Sequence, residues 1–209
     1  MMVLEGIVWK LYDISSWIMK MMYLNLLWIV FSLLGLVVFG FFPATSAMFA
    51  VTRKWVLGEK EIPVFQTFWQ AYKSGFIQMN IIGFVITIIG AILYLDLRFF
   101  QASEHVLLSF LAFFIIFALF IFFAVVLYIF PIYVHYKFNT FEYIKKSIII
   151  VIGKPLNAIM MIVGSYLLYV VFSMIPFLTL FASGSIASLV LMWIAMRSFP
   201  RYEVKVSGV

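Results

Sequence analysis

Long apolar runs alternate along this chain with short segments that carry its cations. Five runs are long enough to cross a bilayer as helices: residues 21–42, 75–95, 106–130, 156–176 and 178–196. Such a helix needs about 20 predominantly apolar residues to span a hydrocarbon core roughly 30 Å thick. Every Lys, Arg, Asp and Glu falls outside the five runs. A charge at a helix centre costs on the order of 3 kcal/mol, so this exclusion is what lipid imposes. The last run is the weakest, because its uninterrupted apolar part covers only residues 182–196.

The segments between the runs have patterns of their own. In residues 3–18, Leu4, Ile7, Val8, Leu11, Ile14 and Ile18 recur at helical spacing, while Glu5, Lys10 and Asp13 take other faces. This predicts an amphipathic helix lying in the membrane interface. Pro43 is expected to end the first span, and Met48, Val51 and Trp55 then form a helical stripe that Gly58 breaks. Pro63 suits the first turn of a new helix. There Phe65, Phe68, Trp69 and Tyr72 face lipid or core, Gln66, Gln70 and Lys73 face water, and the helix runs directly into the second span.

The organisation occurs twice in outline, as a weak parallel internal repeat. Phe42-Pro43 and Phe130-Pro131 each end a span and lead into a basic connection. Thr67-Phe68 with Lys73-Ser74 then matches Thr140-Phe141 with Lys146-Ser147, and Asn80 and Asn157 follow near the start of the next span. Spans one and three enter from the same side, so the repeat is parallel rather than inverted.

Composition excludes a soluble fold. Apolar residues make up 67% of the 209-residue chain, charged residues 11%, and the mean hydropathy is +1.19. Ordinary soluble domains are nearer half apolar and a quarter charged. The expected fold is therefore all-α: one polytopic helix bundle over residues 1–209, with five transmembrane helices and interfacial amphipathic helices. Its length leaves no room for a separate catalytic module. The first strongly apolar run starts only after Lys20 and is too long for the core of a cleavable signal sequence.

The +6 net charge changes the picture only through its placement. Lys10, Lys20 and Arg98 fall on one side of the five-span scheme. Arg53, Lys54, Lys60, Lys73, Lys137, Lys145, Lys146, Lys154, Arg197, Arg201 and Lys205 fall on the other. The positive-inside rule then sets the N-terminus outside and the C-terminus in the cytoplasm of a bacterial cell. Cations so placed meet anionic headgroups, which removes the reason to expect nucleic acid.

Candidate chemistry is sparse. Cysteine is absent, and His105 and His135 are too few to build a metal cluster, so no metal and no cofactor is expected. Asp96, Arg98, Glu104 and His105 share one outward connection and read as helix-end polar groups meeting water. The intramembrane polar candidates are Asn25, Asn80 and Asn157, which we read as interhelical hydrogen-bonding groups rather than a solute path. Small residues four apart, Ser183/Ala187 and Gly184/Ser188, point to close helix approach in this chain or in a homo-oligomer. The adjacent cations Arg53-Lys54 and Lys145-Lys146 are the candidate partner-docking residues.

The run FPATSAMFAVTRKW (residues 42–55) continues as GEKEIPVF (58–65) and TFWQAYKSGF (67–76), and LYLDL (93–97) closes the second span. These segments resemble the YesL family of bacterial multi-pass membrane proteins. The resemblance runs the length of the chain, with its specific part in residues 42–97. It brings no catalytic residues to carry over. It implies an accessory role beside a carbohydrate ABC-type permease, in saccharide uptake or envelope carbohydrate handling. The expectation is thus a non-catalytic accessory protein in contact with membrane lipids and such a permease. The alternative is a small facilitative transporter or channel.

Overall fold

A computed structural model describes residues 2–102 and 106–199, with side chains from 11–102 and 110–199. The chain forms α1 (Met2–Leu34), α2 (Phe41–Val56), α3 (Val64–Gln101), α4 (Val106–His135), α5 (Thr140–Gly153), α6 (Pro155–Met174) and α7 (Pro176–Met196), with no strand among the described residues. Five helical stretches are long and apolar enough to cross a membrane: Leu11–Leu34, Val64–Gln101, Phe110–His135, Pro155–Met174 and Pro176–Met196. The all-α bundle of the sequence reading is what the chain builds.

The first span ends earlier than the sequence suggests. Helix α1 stops at Leu34, and residues 35–40 reverse the chain into α2. Leu36 and Val37 sit at φ of 54° and 63°, a left-handed conformation that L residues rarely adopt. Gly35 and Gly40 make the reversal possible: a Cβ on Gly35 would overlap Gly40, and one on Gly40 would overlap the Ser32 carbonyl. Pro43 does not end a helix. It stands in the first turn of α2, where its missing N–H leaves no helical bond unmade.

Lys20 is not held apart from Lys60 and Glu61. Its Nζ lies 2.7 Å from a Glu61 carboxylate oxygen and donates to the Lys60 carbonyl at 3.3 Å. The Trp17 and Trp55 rings meet edge to face, 5.5 Å between centroids. The charge tally put Lys20 and Lys60 on opposite sides of the membrane, but groups in contact share a side. From Lys20 to Leu34 α1 rises only about 21 Å, at 1.5 Å per residue. The chain then returns through α2 to the level from which it left.

Helix α3 runs unbroken from just after Pro63 into the second span, as the pattern predicts. Helix α4 continues through Pro131 to His135. The two Phe-Pro pairs therefore occupy different contexts, one opening α2 and the other inside α4. Helix α5 follows, its first turn closed by Glu142, whose carboxylate accepts from the Asn139 backbone N–H at 3.1 Å. Pro155 and Pro176 open α6 and α7 at the first helical position.

Two apolar cores hold the bundle. One joins α1, α2 and α3 through Leu24, Met48, Val51, Trp55, Phe68 and Tyr72. The other joins α3 to α7 through Met79, Ile82, Tyr128, Ile132, Met161 and Met192. Outside them, large apolar side chains point away from the protein: Phe113, Phe117, Leu156 and Leu167 are among those more than half exposed. Contiguous apolar surface of this kind is stable only against an apolar solvent.

Candidate functional site

The antiparallel run of α2 back along α3 brings basic residues from both helices together. Arg53 and Lys54 close the last turn of α2, and Lys73 lies two and a half turns into α3. With Thr67, Trp69, Gln70, Ser74 and Val134 of α4 they line a cleft of about 780 Å³. No Asp or Glu lines it.

His135, at the end of α4, braces the arginine from behind. Arg53 Nε donates to His135 Nδ1 at 3.2 Å, and the imidazole stacks on Phe199 with centroids 4.7 Å apart. This contact fixes Nε and leaves the two terminal nitrogens of the guanidinium for the cleft. Burial pulls the Arg53 pKa below the usual arginine value, and the Glu59 carboxylate pulls it back up. A guanidinium stays charged under that balance. Three cations without a lining carboxylate make a place for an anion, and Arg53 offers it a planar pair of donors.

The sequence-predicted residues fall into separate places. Arg53 and Lys54 meet Lys73, a pairing that follows once the break at Gly58 and the start at Pro63 are read as the bend of a helical hairpin. Lys145 and Lys146 lie on α5, which does not touch α2 among the described residues. Lys146 Nζ stands 5.5 Å over the Phe138 ring. Neither lysine of that pair has a carboxylate within 4.0 Å among the described residues.

The three Asn residues each fasten one element to another. Asn25 Nδ2 donates to the Leu180 carbonyl at 2.8 Å, and its Oδ1 accepts from the Gly184 N–H at 3.0 Å, tying α1 to α7. Asn80 Nδ2 donates to the carbonyls of Phe39 at 3.0 Å and Phe76 at 2.8 Å, pinning the α1–α2 turn to α3. Asn157 Nδ2 donates to Ser198 Oγ at 2.9 Å, and that hydroxyl also meets the Tyr128 hydroxyl at 2.7 Å. The structure does not gather the three into one cavity. Of the small residues in α7, Gly184 faces Asn25 and Met48 of this same chain. Asp96 and Arg98 lie in the last turns of α3, while Glu104 and His105 lie outside the described residues. Among the described residues no three His, Asp or Glu side chains cluster as metal ligands would.

Fold and cleft together define a polytopic all-helical membrane-type bundle with a cation-lined recess at one helix junction. The chain belongs to the YesL-like family. It is 36% identical over 202 residues to "Uncharacterized protein YesL" of Bacillus subtilis (strain 168), covering 95% of this chain and 94% of that one. It is 38% identical over 184 residues to "Uncharacterized protein YteU" of the same organism, covering 88% and 82%. Residues 21–97 match the family described as "Protein of unknown function, DUF624". No solved structure matches.

Proposed function

We propose that this protein is a non-catalytic accessory component of a bacterial cytoplasmic membrane, and that it docks an acidic segment of a neighbouring membrane protein on α5. The observation that carries this reading is the outward face of α5. Lys145 and Lys146 stand there beside exposed Phe141, Ile149 and Ile152, with no carboxylate of this chain in ion-pair reach among the described residues. Only Tyr143, Ser147 and Val151 of this helix are buried against the bundle. A short helix held on one face and offering cations among apolar side chains suits a partner helix with complementary charge. The family resemblance directs the choice of partner toward a permease of a carbohydrate uptake system.

By the positive-inside rule, the side that carries Lys20, Lys54 and Lys60 is the cytoplasmic one. Phe199 stacks on His135, the residue that accepts from Arg53, in keeping with a cytoplasmic C-terminus. The test is purification of the tagged chain from native membranes in mild detergent, followed by mass spectrometry. A permease is expected to copurify, and Lys145→Gln with Lys146→Gln to remove it. A chain that emerges from such membranes with no partner overturns the docking reading.

A further inference from the structure

We propose that the cleft between α2 and α3 is a binding site for the phosphate of an anionic phospholipid, a role separate from partner docking on α5. The cleft offers Arg53, Lys54 and Lys73 together with the amide of Gln70 and the hydroxyl of Ser74, and no Asp or Glu lines it. A phosphate diester carries its charge on oxygens that a guanidinium and two ammonium groups can meet from different directions. His135 presets the arginine, since the 3.2 Å bond to Nε holds the guanidinium against the end of α4.

The face of α3 below the cleft says what the phosphate is attached to. Ile77 and Ile81 follow Lys73 at successive four-residue steps, and Phe84 and Ile88 continue the same face. All four are exposed, Ile77 by 74% and Ile88 by 59%. One turn to the other side of Lys73, Trp69 is 41% exposed, an amphipathic ring at the level where headgroups would lie. A cation-lined cleft continued by an apolar track some three turns long matches a lipid, with headgroup above and acyl chain below. A soluble phosphate ester uses only the cleft.

The test uses the full chain, purified in detergent and stripped of lipid. Phosphatidylglycerol, phosphatidylcholine and free glycerol phosphate are added in turn, with bound lipid read by native mass spectrometry and stability by thermal unfolding. Phosphatidylglycerol is expected to be retained at least tenfold better than phosphatidylcholine and to raise the melting temperature, while glycerol phosphate does neither. Lys73→Glu, a change on an exposed helical position, should abolish the preference, and Lys73→Arg should keep it. Lys145→Gln with Lys146→Gln should leave it intact. Equal loss in that α5 control would mean that charge anywhere on the protein suffices, and the site would be discarded. Glycerol phosphate binding as well as the lipid would overturn the lipid assignment in favour of a soluble phosphate. Competition by an acidic peptide but not by the lipid would return the cleft to a protein partner.

Discussion

Asn25 of α1 accepts a hydrogen bond from the backbone N–H of Gly184 in α7 while its amide donates to the carbonyl of Leu180. Those two backbone groups stand four residues apart, the spacing of one α-helical hydrogen bond. One side-chain amide thus lies across a rung of the α7 ladder, with its oxygen and nitrogen both used. Asn25 is 1% exposed, so neither atom has water to fall back on.

The consequence is an order of stabilities. In Asn25→Leu the two backbone groups still have one another as helical partners, and the loss should stay near 1 kcal/mol, the scale of an interhelical hydrogen bond in membranes. Asn25→Asp places a carboxylate against the Leu180 carbonyl in an apolar interior and should cost considerably more. Gly184→Ala should also destabilise, since its Cβ would stand 2.9 Å from Asn25 Oδ1 and 3.1 Å from Met48 Cε. Thermal unfolding in detergent ranks the variants. Asp tolerated as well as Leu would show that Asn25 is not buried against α7.

The contact between Lys20 and Glu61 makes a topological prediction. Cysteines placed at positions 20 and 61, one at a time, should both react with a membrane-impermeant maleimide from the same side of sealed vesicles. Removing the ion pair itself, as in Glu61→Gln, should change stability by less than about 1 kcal/mol, because Glu61 is 87% exposed. Labelling from opposite sides would be incompatible with the hairpin formed by α1 and α2.

The reversal at residues 35–40 predicts opposite signs for two glycine exchanges. Gly35→Ala should destabilise strongly, because the added Cβ meets the Gly40 backbone, which cannot swing aside as a side chain can. Val37→Gly should stabilise. A left-handed conformation costs a non-glycine residue about 1–2 kcal/mol, and the glycine's extra freedom when unfolded returns only part of that gain. Val37 is 53% exposed, so little packing is lost. Melting temperatures of the two variants should move in opposite directions, and a fall in both would count against the strained turn.

Helices α3, α4, α6 and α7 were legible because lipid imposes one rule on every residue of a span, and length and hydropathy register it locally. The start of α3 was legible too, from Gly58 and Pro63. The α1–α2 turn was not. Residues 35–40 are as apolar as the helix they interrupt, and Leu36 and Val37 are poor advertisements for a left-handed turn. Tight packing of Gly35 on Gly40 decides it, and that is a property of three dimensions. Once the turn was missed, the charge tally separated Lys20 from Lys60, which the fold brings into contact. The cleft was half visible: Arg53-Lys54 stood out as a pair, but Lys73 and His135 join them only through the folding of α3 and α4 onto α2. The helix α5 had a signal, Asn139 three residues before Glu142 at a helix start, that hydropathy alone does not weigh.

The buried contact of Tyr128, Ser198 and Asn157 fastens the end of α7 to α4 and α6, and it predicts a particular failure of additivity. Ser198 is 1% exposed and Tyr128 fully buried. Tyr128→Phe removes one partner of a hydroxyl that keeps its bond to Asn157, and should cost about 1 kcal/mol. Ser198→Ala leaves both the tyrosine hydroxyl and the asparagine amide without the group they share, so its cost should be larger, roughly 1–3 kcal/mol. In the double variant the tyrosine hydroxyl is no longer stranded. The combined loss should therefore fall short of the sum of the single losses by at least about 0.5 kcal/mol. A double-mutant cycle on unfolding in detergent measures that difference, and strict additivity would mean that Tyr128 and Ser198 do not share a hydrogen bond in the folded chain.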